Sequence, residues 1–172
     1  QSYNAQAAVS TDGSQLVVGN RISQSASDRN EWVPDVASVP AELGRVNTIL
    51  ADNGYANGEH VDELERASIE VLVATGRGEA RTYDFRPQKP ATQAPTHSLP
   101  WIERMQQRTQ SSRGRERYRL RQQTVEPVFG IIKEAMGFRR FLLRGLEKVQ
   151  GEWELVCLAY NFKRLHRLMQ MA

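Results

Sequence analysis

Apolar and polar positions take turns through "YNAQAAVS" (residues 3–10), and the run ends at Thr11-Asp12-Gly13-Ser14, which has the composition of a turn. "QLVVGNRIS" (15–23) follows, rich in Val and Ile, so the two runs predict a β-hairpin. Beyond it Ser27 or Asp28 can cap a short helix, and Pro34 and Pro40 break the segment up. Val46 to Ala51 is a short apolar run with the pattern of a covered strand, and Asp52 sits at its C-terminal end. Asn53-Gly54 is turn chemistry. Asn57 can cap a helix through about Ala67, with Glu59, Asp62 and Glu63 near its positive end. "IEVLVA" (69–74) reads as the next strand, and strand, short helix, strand predicts a parallel pair.

From Thr75 the pattern dissolves. Pro87, Pro90, Pro95 and Pro100 stand among Gly, Gln, Ser and Thr, which predicts a Pro-rich insertion or linker over about 76–112, with room for a short helix in "PWIERMQQR". From Arg113 the pattern is helical and basic, and Pro127 marks a helix start or kink near Thr124–Pro127. In the last segment, apolar residues at 155, 158, 159, 162, 165 and 169 form one helical face. Cys157 is read as a core residue on the apolar side of this helix. Trp153, Tyr160 and Phe162 have core-like spacing, with stacking on an extruded base as the alternative. No internal repeat is present.

Composition narrows the class. With 172 residues, 40% hydrophobic and 25% charged, the chain suits one soluble globular domain. No run approaches a membrane span, and no signal-like segment opens the chain. Cys157 is the only cysteine, so an intrachain disulfide is excluded and a reducing, intracellular setting is favoured. The chain opens on Gln1 within what reads as a strand, which suggests a fragment or a domain cut from a longer product. Residues 1–100 hold 8 Lys and Arg against 13 Asp and Glu, whereas residues 101–172 hold 15 against 7. The basic rear half suits a polyanion, a solvated helix face being the plain alternative.

Two acids stand out. An acid at the C-terminal end of a strand in an α/β sheet points to the crevice where ligands bind, which is Asp52's position; a turn former is the simpler reading. Glu126 is flanked by Val125, Val128, Phe129, Ile131 and Ile132, and a carboxylate among residues that want burial needs a partner or a cation. Lys133, two helical turns on, and Arg121 are the candidate ion-pair partners. Carboxylates converging from a sheet and a helix suit Mg²⁺, which supports phosphodiester chemistry. Arg113, Arg115, Arg117, Arg119 and Arg121 alternate strictly, which favours phosphate contact over base readout. His60, His97 and His166 lack ligand spacing. Gly76-Arg77-Gly78 lacks the Lys and spacing of a phosphate loop.

"ADNGY" (51–55), then Y-x2-R-x4-E-x6-K over Tyr118–Lys133, then "LAYNFKRL" (158–165) resemble the C-terminal half of bacterial insertion-sequence DDE transposases. "YNAQAAVS" and "DRNEWVP" suit the same group, so the resemblance runs over the whole chain apart from the Pro-rich insertion. It implies an α/β, RNase H-like mixed sheet flanked by helices, here a partial domain over 1–172. The implied activity is metal-dependent DNA strand cleavage and strand transfer with Mg²⁺ or Mn²⁺. Asp52 and Glu126 would be catalytic and metal-binding, with Tyr118, Arg121 and Lys133 as the accompanying signature residues. Four residues separate Arg121 from Glu126 where the family usually has three, so Arg119, Gln122 and Gln123 can share Arg121's role. The implied partner is DNA, transposon ends and target, in the bacterial cytoplasm at the nucleoid, with no membrane; a homodimer is left open. The family's first Asp lies on a strand upstream of the Tyr-Asn-x-Gln strand, and neither Asp12 nor Asp28 replaces it. The expectation is an incomplete triad, a sheet without its first strand and a nearly inactive chain, with a non-catalytic DNA-binding remnant as the alternative.

Overall fold

The computed structural model describes residues 3–75 and 100–171. Its strands are β1 (Asn4–Val9), β2 (Val17–Ser23), β3 (Thr48–Ala51) and β4 (Glu70–Val73); its α-helices are α1 (Trp32–Ala37), α2 (Gly58–Arg66), α3 (Pro100–Gln110), α4 (Ser112–Gly130) and α5 (Leu146–Met171). The insertion expected over about 76–112 lies outside the described residues up to 99, and α3 begins at Pro100. The class is α/β, as the alternation of patterns implied. The described strands do not join one mixed sheet: β1 and β2 form an antiparallel pair, β3 and β4 a parallel pair. The chain divides into two compact units, one of residues 1–46 and 119–172, the other of residues 47–118.

In the first unit, β1 alternates as its sequence does. Tyr3, Ala5, Ala7 and Val9 pack on the core, while Asn4 and Gln6 on the other face hold Asp28 through their side-chain amides, 2.6 and 2.7 Å from Oδ1. That carboxylate fastens the turn before α1 to the hairpin. Asp12 serves the hairpin turn, where its Oδ1 accepts from the Ser14 N–H at 2.8 Å. Arg21 pairs with Glu31 and, at 3.2 Å, with Asp35, which binds α1 to β2.

The core joins Val17 and Ile22 of the hairpin to Val128 and Ile132 and to Val149, Trp153, Cys157 and Tyr160 of α5. Trp153 also donates its indole N–H to the Gln6 carbonyl at 2.9 Å. Amide side chains of α5 bond to the backbone of β2: Asn161 accepts from the Val17 N–H and donates to its carbonyl, both at 2.8 Å, and Gln150 accepts from the Ile22 N–H at 2.7 Å. Trp153, Cys157 and Tyr160 are buried as expected, but the predicted apolar face of this helix is not. Leu155, Leu158, Phe162, Leu165 and Met169 are all exposed. The helix carries two apolar faces, and the hairpin takes the one built on Trp153.

Pro127 neither starts nor ends a helix. α4 runs through it to Gly130, and a π-helical turn over Ile131–Ala135 follows, closed by the Met136 N–H on the Ile131 carbonyl at 3.0 Å. Proline has no N–H for the carbonyl four residues back, that of Gln123. The Gln15 side chain donates to it instead, at 2.6 Å.

In the second unit, β3 and β4 run in register, Thr48 beside Glu70 and Ala51 beside Val73. Asn57 caps α2 as predicted, its side chain accepting from the Glu59 N–H. Val61 and Leu64 of α2 and Met105 of α3 are buried with Val71, Leu72 and Val73. Outside this core Arg104 bonds to Asp62 at 2.7 Å and Arg108 to Glu65.

Candidate functional site

Asp52 ends β3 as the sequence indicates, and its side chain is exposed. Its Oδ1 accepts from the Gly54 N–H at 2.8 Å, which caps the single 3-10 turn Asn53–Tyr55. The turn-forming role is therefore real, and Asn53-Gly54 wraps the chain back onto the carboxylate. Tyr118 reaches the same strand end: its hydroxyl donates to the Ala51 carbonyl at 3.1 Å, one residue before Asp52. Tyr118, singled out by the sequence resemblance, is thus at the corner that carries the candidate acid, within one compact unit.

Glu126 belongs to the other unit. It does not lie among the apolar residues that flank it in sequence. Val128 and Ile132 are buried, but successive helical residues are about 100° apart, and Glu126 faces solvent with its side chain 61% exposed. Of the two expected ion-pair partners, Arg121 is present, 3.5 Å away. Lys133 falls in the π-helical turn, its Nζ 5.9 Å from the centre of the Phe129 ring.

The alternating arginines fall on a helix, which separates them into two rows. Arg113, Arg117 and Arg121 follow one another at four-residue steps, and Arg115 and Arg119 form a second row on the far side. Arg117 pairs with Glu70. Arg115 and Arg119 are exposed and have no ion pair among the described residues. The sequence marked Arg115 only as one of five; its four-residue step to Arg119 is the signal that sets the two apart. Among the described residues no group of three or more His, Cys, Asp or Glu side chains could hold a metal ion. None of their helices is long and apolar enough to cross a membrane.

Residues 85–166 match the transposase DDE domain family. The matched segment, just under half of the chain, contains Tyr118, Arg119, Arg121, Glu126 and Lys133, and it supports a DDE transposase reading of that stretch. Asp52 lies before it. No curated protein and no solved structure gives a significant match.

Proposed function

We propose that the chain carries part of the catalytic machinery of an insertion-sequence DDE transposase with an RNase H-like core, acting on DNA by metal-dependent strand cleavage and strand transfer. The family match over the segment that bears Tyr118, Arg121, Glu126 and Lys133 is the observation that carries this reading. Asp52 and Glu126 would be two of the metal-binding acids. Both are solvent-facing carboxylates, hard oxygen donors of the kind that hold Mg²⁺ or Mn²⁺ while leaving positions for water and phosphate oxygens. The chemistry such ions supply when bound is activation of a water or 3′-hydroxyl and stabilisation of the leaving oxygen. Arg121 would hold Glu126 in place, Tyr118 would fix the strand end next to Asp52, and Arg115, Arg119 and Lys133 would carry DNA phosphates.

One observation favours a second reading, a non-catalytic DNA-binding protein of the same origin. Asp52 already caps its turn and Glu126 already pairs with Arg121, as structural acids do. Mn²⁺ binding followed by electron paramagnetic resonance, with duplex DNA present, separates the two. The transposase reading expects Mn²⁺ bound in the presence of DNA and lost in Asp52→Ala and in Glu126→Ala. DNA binding without any Mn²⁺ site supports the second reading, and absence of both ends the first. Robust Mg²⁺-dependent nicking by this chain, lost in Asp52→Ala, would contradict the expected incomplete triad.

A further inference from the structure

The face of α5 turned away from the hairpin carries Leu155, Leu158, Phe162, Leu165 and Met169, exposed by 67, 51, 65, 42 and 80%. Their spacing is three, four, three and four residues, the repeat that keeps one seam of a helix against a second helix. A patch of this kind on a helix whose opposite face already fills a core marks an interaction surface. We propose that it pairs antiparallel with α5 of a second copy of the chain.

Three features select this occupant. The first is the layering. Antiparallel pairing sets Leu155 against the partner's Leu165, Leu158 against the partner's Phe162, and Gly151 against the partner's Met169, and two-fold symmetry repeats each layer. The second is Gly151 itself. Glycine inside a helix weakens it relative to alanine, and a Cβ at this position would meet nothing of its own chain. On the seam, its missing side chain is the room that a long Met169 needs. The third is charge. Along its axis α5 is acidic at the start, with Glu147, Glu152 and Glu154 against a single Lys148, and basic beyond Leu155, with Lys163 and Arg167 besides Arg164, which is held by the Ser14 and Gly13 carbonyls of the hairpin turn. Antiparallel pairing brings the acidic end of one helix to the basic end of the other, whereas parallel pairing opposes like charges. The seam from Gly151 to Met169 is about 27 Å long at 1.5 Å per residue. None of these features depends on the DNA reading, so either can fail alone.

Sedimentation velocity on the whole chain, from low to high micromolar concentration, tests the pairing. The expected result is a dimer that becomes monomeric in Leu158→Glu and in Phe162→Glu, with circular dichroism unchanged and an unfolding midpoint that matches the unsubstituted protein only at concentrations where that protein is itself monomeric, since both side chains are exposed in the single chain. Orientation is read by oxidising a mixture of Leu155→Cys and Leu165→Cys proteins of different mass, which should give the mixed disulfide. Cys157 stays out of this chemistry, since it is buried and its thiol is pushed up to about 12. A chain monomeric at every concentration, as when another polypeptide segment covers the stripe, would overturn the proposal. So would a dimer that survives both Glu substitutions, or a preference for Leu155→Cys homodisulfides.

Discussion

Gln15 donates its side-chain amide to the main-chain carbonyl of Gln123 at 2.6 Å, across 108 positions of sequence. The acceptor is the carbonyl that Pro127 leaves without a helical donor. A residue of the hairpin thereby completes a helix that its own sequence interrupts. Gln15→Ala should destabilise the protein by about 1 kcal/mol in urea unfolding, the usual net value of one such bond. In a Pro127→Ala background, where the backbone can supply the donor, the same substitution should cost clearly less. Equal costs in both backgrounds would disprove the relationship.

Asp35 is set to make stability fall as pH rises. Burial pushes its carboxyl up to about 6 from 3.8, with Arg21 at 3.2 Å pulling the other way. Between those values the folded state holds a proton that the unfolded state has released. Stability linked to this group is therefore present below about pH 4 and lost as pH climbs through about 6. Asp35→Asn removes the titration. Its urea midpoint relative to the unsubstituted protein should improve steadily from pH 4 to pH 7, and a constant difference would show that Asp35 does not titrate in that window.

Arg115 and Arg119 should act on DNA through charge alone. Each Ala substitution should weaken duplex binding about equally for unrelated sequences and reduce the slope of log K against log salt by about 1. Arg117→Ala should behave differently, because its guanidinium is engaged with Glu70. The expected change there is a stability loss of up to about 1 kcal/mol with little change of slope. Filter binding at several salt concentrations distinguishes the three.

Tyr118→Phe keeps the ring and removes the donor to the Ala51 carbonyl. A stability loss of about 1 kcal/mol is expected. Amide exchange should quicken at Gly54, whose N–H is held by the adjacent Asp52. Unchanged exchange at Gly54 would mean that the hydroxyl does not organise this corner.

Gly114 tolerates no side chain. A Cβ there would lie 1.7 Å from the Arg108 carbonyl oxygen, where α3 hands over to α4. The obstacle is backbone, so it cannot rotate away, and Gly114→Ala should cost about 2–3 kcal/mol in the same unfolding assay.

The parts of this chain legible in the sequence are those with local causes. The hairpin, the Asn57 cap and the strand that stops at Asp52 follow from residues within a few positions of each other. Glu126 was harder, because its neighbours in sequence are apolar while its own position on the helix faces solvent. Passage of α4 through Pro127 depends on Gln15, more than a hundred residues away. The last helix misled for a related reason. Periodicity reveals that apolar faces exist, but which one packs inward is decided by the hairpin, which offers Val17 and Ile22 to Trp153 rather than to Phe162.

The amides that α5 sets against β2 limit how the hairpin can grow. Val17 has both its main-chain groups taken by Asn161, and Ile22 has its N–H taken by Gln150. An incoming strand would have to displace those side chains, so this border is shielded from the edge-to-edge association that open strands invite. Any widening of the hairpin into a larger sheet is directed to the flank of β1.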